Sequence, residues 1–310
     1  MNETTNPGRE SGTASQSGAG SSAAAKPQAK GMAKRWLFAI LILTFLFVLM
    51  PYLFWQATWF GRPLDDGQMA KAFADTKHPR EAQHALSQVA DRILSANATT
   101  RDSARNWYPQ VVNLSSSSDE ALRTTAAWVM GQDATSAEFH ARLVAMLADA
   151  NPMVQRNAAL SLVRFGDPSG HDVISAMLKP YTMPAPAAGK LDERLKPGDS
   201  VNPGTLVGRI EGPDGASTEV RTNVPGTLVG WTVADGTAVV AGQPVAQLDP
   251  SSEVVWEALR ALYFIGNTPD EAAVVPFARG VPNMPPNVSQ QATLTLIAIR
   301  NRAGATQPNH

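Results

Sequence analysis

The chain has 310 residues, a formal net charge of -1, 44% hydrophobic and 17% charged residues, and no cysteine. That length admits more than one domain and the apolar content suffices for a packed core, while the balanced charge gives no basic footprint for nucleic acid. The lack of cysteine excludes disulfides, a thiolate nucleophile and thiolate metal sites, and leaves the compartment open.

Residues 1–33 are mostly Gly, Ser, Ala, Thr, Asn and Pro. Such a stretch has too little apolar surface to offset the entropy of ordering, and it predicts a disordered tail. From Trp36 to Trp55 the chain runs WLFAILILTFLFVLMPYLFW without a charge. About 20 residues at 1.5 Å rise match a bilayer core of roughly 30 Å, so residues 34–60 are read as a transmembrane helix. Trp36 at one end, with Tyr52, Trp55 and Trp59 at the other, suits the membrane interfaces. Lys26, Lys30, Lys34 and Arg35 precede the span, whereas Arg62 follows with Asp65 and Asp66. The positive-inside rule then keeps the tail in the cytoplasm and sends the rest across an inner membrane. The apolar run exceeds a signal-peptide core and no small-x-small site follows it, which makes a signal anchor the expectation.

Beyond the span, helical periodicity returns, broken about every 15 residues by Pro, Asn, Asp, Gly and Ser clusters. Three segments align: MVQRNAALSLVRFGD, EVVWEALRALYFIGN and NVSQQATLTLIAIRN. Val154, Ala158 and Leu162 match Val254, Ala258 and Leu262, and then Val288, Ala292 and Leu296. Each trio is spaced i, i+4, i+8 and makes one apolar stripe on a helix. An earlier copy supplies Leu122, Ala126 and Met130. The intervals from Leu122 are 32 to Val154, 100 to Val254 and 34 to Val288. Removing a foreign segment of about 68 residues from the long interval restores a period typical of helical-hairpin solenoids.

The period, the short turns, the Asp149, Asn151 and Asp249 positions before helices and the Val/Ala/Leu stripe resemble HEAT repeats in their short bacterial form. The resemblance covers residues 64–182 and 251–304, with 305–310 as a disordered tail. It implies a stack that binds protein partners.

The intervening residues, 183–250, change to Gly, Pro, Val and Asp-Gly turns with short alternating runs such as TLVGRI and TLVGWTV, which predict strands. This segment is duplicated. Gly189 aligns with Gly226, Gly198 with Gly236, Val201 with Val239, Gly204 with Gly242 and Ile210 with Leu248, at offsets of 37 and then 38. The glycines fit positive-φ turn positions.

The punctuation resembles the biotinyl/lipoyl domain, a barrel-sandwich hybrid also found in membrane fusion proteins. In carriers of that family the β hairpin between the halves presents a lysine three residues after a glutamate. Here Glu211 is followed by Gly212, Pro213 and Asp214, and no lysine lies between Lys196 and the C-terminus. With Asp214 at the carrier position, the resemblance implies an unmodified domain with no cofactor. Membrane fusion proteins split this hairpin with a long coiled coil, but here the tip is about ten residues.

His78, His84, His140, His171 and His310 show no i, i+3 or i+4 pairing for a metal. No nucleophile elbow or P-loop occurs. Asp65 and Asp66 are expected to start a helix, adjacent residues on a helix pointing apart. Trp107, Tyr108, Trp128 and Trp256 are expected mainly in the helical core, and the Trp231 indole N–H needs a partner.

The expectation is an α+β multidomain chain with a single transmembrane helix and an α-helical HEAT-like solenoid carrying an inserted all-β lipoyl-like domain between repeats. It is read as a non-catalytic scaffold for a membrane or periplasmic protein partner, without catalytic or metal residues. A periplasmic adaptor subunit of an export or efflux transporter is the alternative.

Overall fold

The computed structural model describes residues 29–57, 63–75 and 77–306. Contacts divide the chain into two units, Met1–Arg62 and Pro63–His310. In the first unit, helix α1 spans Ala29–Ala57 and holds Pro51 near its end. It starts ahead of the expected residue 34. Its segment Trp36–Leu53 has a mean hydropathy of 2.4, so the helix is long and apolar enough to cross a membrane. The expected disordered tail, apart from the residues that α1 takes up, lies outside the described residues.

The second unit begins with α2 (Asp66–Ala74), α3 (Pro79–Ile93), α4 (Ala98–Ala104), α5 (Tyr108–Leu114) and α6 (Glu120–Met130). It continues with α7 (Ala137–Met146), α8 (Pro152–Arg164) and α9 (His171–Ala176). Eight strands intervene before α10 (Ser252–Ile265), α11 (Glu271–Ala278) and α12 (Pro286–Thr306). Helix starts are set by side chains that accept from otherwise unpaired backbone N–H groups. Asp65 caps α2 in a reciprocal box with Gln68, while Asp119, Ser136, Asn151 and Ser251 cap α6, α7, α8 and α10. Asp249, expected before a helix, instead lies in the last strand.

The apolar stripe read from the sequence is the core. Leu122, Ala126 and Met130, Val154, Ala158 and Leu162, Val254, Ala258 and Leu262, and Val288, Ala292 and Leu296 are all buried. Helices α3, α6, α8, α10 and α12 form one row in which each packs on the next. The shorter α7, α9 and α11 pack beside them as the first helices of their hairpins. Polar bonds repeat with the same period. Ser161 Oγ donates to Ala127 O at 2.9 Å, and at the equivalent place Thr295 Oγ1 donates to Leu259 O at 2.8 Å. Arg123 reaches Asp149 through two hydrogen bonds of 2.8 and 3.0 Å. His171 Nε2 meets Asp270 Oδ2 at 2.8 Å, joining α9 to the turn before α11.

The strands fall inside one helical hairpin, between α9 and α10, whereas the sequence suggested a position between repeats. The apolar stripe belongs to the second helix of each pair, and the first helix, α9, is too short to carry a comparable signal. Helix α10 still packs on both α8 and α9, and Ala159, Ile174, Leu259 and Val274 share one core cluster. The helical stack is therefore continuous across the strands.

The strands are β1 (Tyr181–Pro184), β2 (Gly189–Glu193), β3 (Ser200–Val201), β4 (Leu206–Glu211), β5 (Ser217–Arg221), β6 (Gly226–Trp231), β7 (Ala238–Val239) and β8 (Pro244–Pro250). They make two small antiparallel sheets, ordered β1-β8-β6-β3 and β5-β4-β2-β7. The offset of 37 to 38 residues carries β1 onto β5, β2 onto β6, β3 onto β7 and β4 onto β8, so one sheet order maps onto the other. The duplication extends to single hydrogen bonds. Gly198 N donates to Leu228 O and Gly236 N to Leu191 O, both at 2.8 Å. Leu191, Val201, Val207 and Ile210 pack with Leu228, Val239, Val245 and Leu248 in the core between them.

Gly198, Gly204, Gly236 and Gly242 have φ of 96°, 86°, 72° and 82°, the left-handed turn conformation expected from the sequence. Gly226 serves a different need, because a β-carbon there would lie 2.3 Å from Asp249 O. A β-carbon at its counterpart Gly189 would lie 2.3 Å from Glu211 O.

Candidate protein-binding cleft

The repeat offsets place Trp128, Leu160, Arg260 and Leu294 at equivalent positions on α6, α8, α10 and α12. A turn further on stand Gln132, Arg164 and Phe264. These positions lie off the buried stripe, and their side chains form a row along one face. Trp128 is 41% exposed, Phe264 62% and Leu294 52%. Among α6, α8 and α10 this row bounds a cleft of about 390 Å³, whose walls include Trp128, Leu160, Met153 and Phe264.

Four charged side chains line the same cleft, Arg156, Arg164, Arg260 and Glu257. Arg164 donates to Gln132 Oε1 at 2.6 Å and Gly131 O at 3.4 Å, so its head is held against α6. The Arg260 guanidinium lies 4.6 Å from the centre of the Trp256 ring, a cation–π distance. Arg156 is only 8% exposed, and its Nη1 is buried with no hydrogen-bond partner. Burial pushes the Arg156 guanidinium below its usual pKa, with the Tyr181 hydroxyl on β1 acting the other way. Burial pushes Glu257 up, and the Arg260 charge partly offsets it. A second groove of about 960 Å³ lies between the strands and the helices, and Met153 and Glu257 line both hollows.

The membrane-interface residues named from the sequence lie in the other unit. Trp36 is 68% and Tyr52 54% exposed along α1, whereas the Trp55 side chain and Trp59 lie outside the described residues. Asp214 sits at the tip of the β4–β5 hairpin, where its Oδ1 accepts from Ala216 N at 3.1 Å. It is far in sequence from every residue of the cleft.

Trp107 is core, with its ring 5.6 Å from that of Phe73, and Tyr108 Oη donates to Asp133 Oδ2 at 2.6 Å. The Trp231 indole donates to Leu195 O at 3.1 Å, which supplies the partner its N–H requires. Trp128 departs from the core expectation and opens onto the cleft. Among the described residues, no group of three His, Asp or Glu side chains could hold a metal. His140 Nε2 meets Asp167 Oδ2 at 2.7 Å in a link between neighbouring hairpins.

The family model for HEAT repeats matches residues 108–181, the stretch from α5 to the start of β1. The helical part is therefore HEAT-like there. The sequence matches no curated protein. An engineered protein from the Northeast Structural Genomics Consortium is similar at 17% identity and a TM-score of 0.37, over 75% of this chain and 78% of that one. A single-chain, multi-domain long-chain acyl-CoA carboxylase is similar at 19% identity and a TM-score of 0.22, over 45% of this chain and 14% of the carboxylase.

Proposed function

We propose that this is a non-catalytic, membrane-anchored scaffold that holds a protein partner on the helical face containing Trp128, Leu160, Arg260 and Leu294. The observation that carries this reading is the row itself. Equivalent positions on the second helices of four successive hairpins carry large apolar or cationic side chains instead of small polar ones, exposed at Trp128, Arg260 and Leu294 and half-buried at Leu160. Exposed aromatic and arginine side chains are the usual anchors of protein interfaces. HEAT-type repeats offer an extended surface of this kind.

The signal-anchor reading puts the tail in the cytoplasm and the second unit outside an inner membrane. The duplicated strands support an unmodified lipoyl-like domain over residues 183–250, with helical repeats over 64–182 and 251–304. That domain would serve as a second docking surface. Its short β4–β5 tip favours the scaffold over an efflux adaptor with a coiled-coil arm.

Site-directed photocrosslinking in intact membranes tests the reading. A photoreactive residue at Leu294 is expected to give a discrete protein adduct, and one at Val144 on α7 to give none. Equal adducts at both positions, or none at Leu294, would remove the assignment of this face.

A further inference from the structure

The chemistry of the cleft specifies the partner more narrowly, on the premise that the helical face binds protein. Arg156 stands on α8 in a lining that combines the apolar Met153, Leu160 and Trp128 with the polar Gln132, Asn157 and Ser161. Most buried guanidinium groups are matched by a carboxylate, since an unpaired buried charge is costly. Glu257 lines the same cleft, yet among the described residues no ion pair joins it to Arg156, and Arg156 Nη1 is left without any partner. The lining carries three arginines against one glutamate. An anion is what this site lacks. The large apolar side chains beside the arginines, Trp128, Leu160 and Phe264, favour a carboxylate attached to an apolar segment over a small hydrated ion.

We propose that the cleft seats an acidic peptide segment of the partner protein, with Arg156 as the ligand of one carboxylate and Trp128, Leu160 and Phe264 as the bed for the neighbouring apolar side chain. Arg260, on α10 at the position equivalent to Leu160, lines the same cleft and would meet a second acidic residue. Tyr181, the first residue of β1, lies within electrostatic reach of Arg156.

The test uses the full chain in nanodiscs of neutral lipid, panned against a random dodecapeptide phage library. Wild type is expected to enrich Asp or Glu flanked by Leu, Phe or Trp. Synthetic versions of the enriched peptides should bind Arg156→Met at least about tenfold more weakly, the usual scale of a lost charge-assisted contact. Arg156→Met should at the same time raise the melting temperature of the free protein, because the uncompensated charge is gone. A group that serves only the fold would give the opposite shift. Leu160→Glu, at a half-buried position, supplies an independent variant that should repel the same peptides.

Enrichment of neutral or basic peptides that compete at the cleft would overturn the acidic specificity and leave the protein-binding face standing. No enrichment, together with no adduct at Leu294, would end both. Binding of wild type but not Arg156→Met to phosphatidylglycerol vesicles, without peptide enrichment, would assign the arginine to lipid headgroups and also overturn the proposal.

Discussion

Gly226 illustrates how little room single residues have in the β insert. A methyl group added there would meet the Asp249 carbonyl of β8, a backbone atom that cannot swing aside. Gly226→Ala should therefore destabilise the insert by about 1–3 kcal/mol, as overpacking does, while Gly230→Ala, with open space at its β-carbon, should be much milder. Urea titration of both variants checks the difference. His171 gives a pH dependence. Burial opposes its charge, but hydrogen bonds to Asp270 and Asp172 outweigh that and raise its pKa. For Asp270, burial acts upward, and His171, Asn267 N and Ser175 together hold it below the usual range. The His171 contribution is thus complete below its unfolded pKa near ~6.5 and is lost as pH rises through the higher folded value. The Asp270 contribution is complete above ~3.9 and is lost as pH falls. The wild type minus His171→Asn difference in melting temperature should be largest near pH 5 to 6 and shrink as pH rises further. The turn glycines were legible in the sequence because the duplication aligned them. Arg156 was not, since Thr124, Trp256 and Gln290 hold the equivalent positions and its burial is set by tertiary packing that no local pattern encodes.

At the scale of elements, the repeat is maintained by equivalent interactions between successive second helices. Ser161→Ala and Thr295→Val each delete one buried hydroxyl bond to the preceding helix, at Ala127 O and Leu259 O. Each should cost about 1 kcal/mol in chemical denaturation. A much smaller loss at Thr295 would mean that α12 docks by apolar contacts alone. The continuity of α8, α9 and α10 leads to a second expectation. Replacing residues 181–250 by a short Gly/Ser linker should preserve a cooperative helical melt by circular dichroism. The stripe on α6, α8, α10 and α12 could be read from sequence because Val, Ala and Leu recur every fourth residue. The placement of the strands within a hairpin could not, because α9 is a single short helix with only Ile174 fully committed to the core in its span.

For the whole molecule, orientation is the property most open to direct measurement. The native chain has no cysteine, so a single introduced thiol is a background-free reporter. Ser15→Cys, ahead of the span, should resist a membrane-impermeant maleimide in intact spheroplasts, and Val240→Cys, at an exposed position in the second unit, should react. The reverse pattern would invert the topology. The long apolar helix α1 was the plainest feature of the sequence, since the uncharged run from Trp36 to Trp55 stands apart from everything around it. Intact mass of the β insert gives a further check, with no biotin- or lipoate-sized increment expected.

The pairing of β1 with β8 also affects the order in which the chain can assemble. Tyr181 lies opposite Leu248, so the first and last strands of the insert run side by side. Before the insert forms, bringing α9 to α10 means closing the long coil from Met177 to Ser251, and each doubling of such a coil adds about 0.6 kcal/mol of lost entropy. Once the insert has folded, the two ends are already neighbours and the coil is reduced to a few residues. Early collapse of the strands would then act as a kinetic splint, turning a distant contact in the helical stack into a local one.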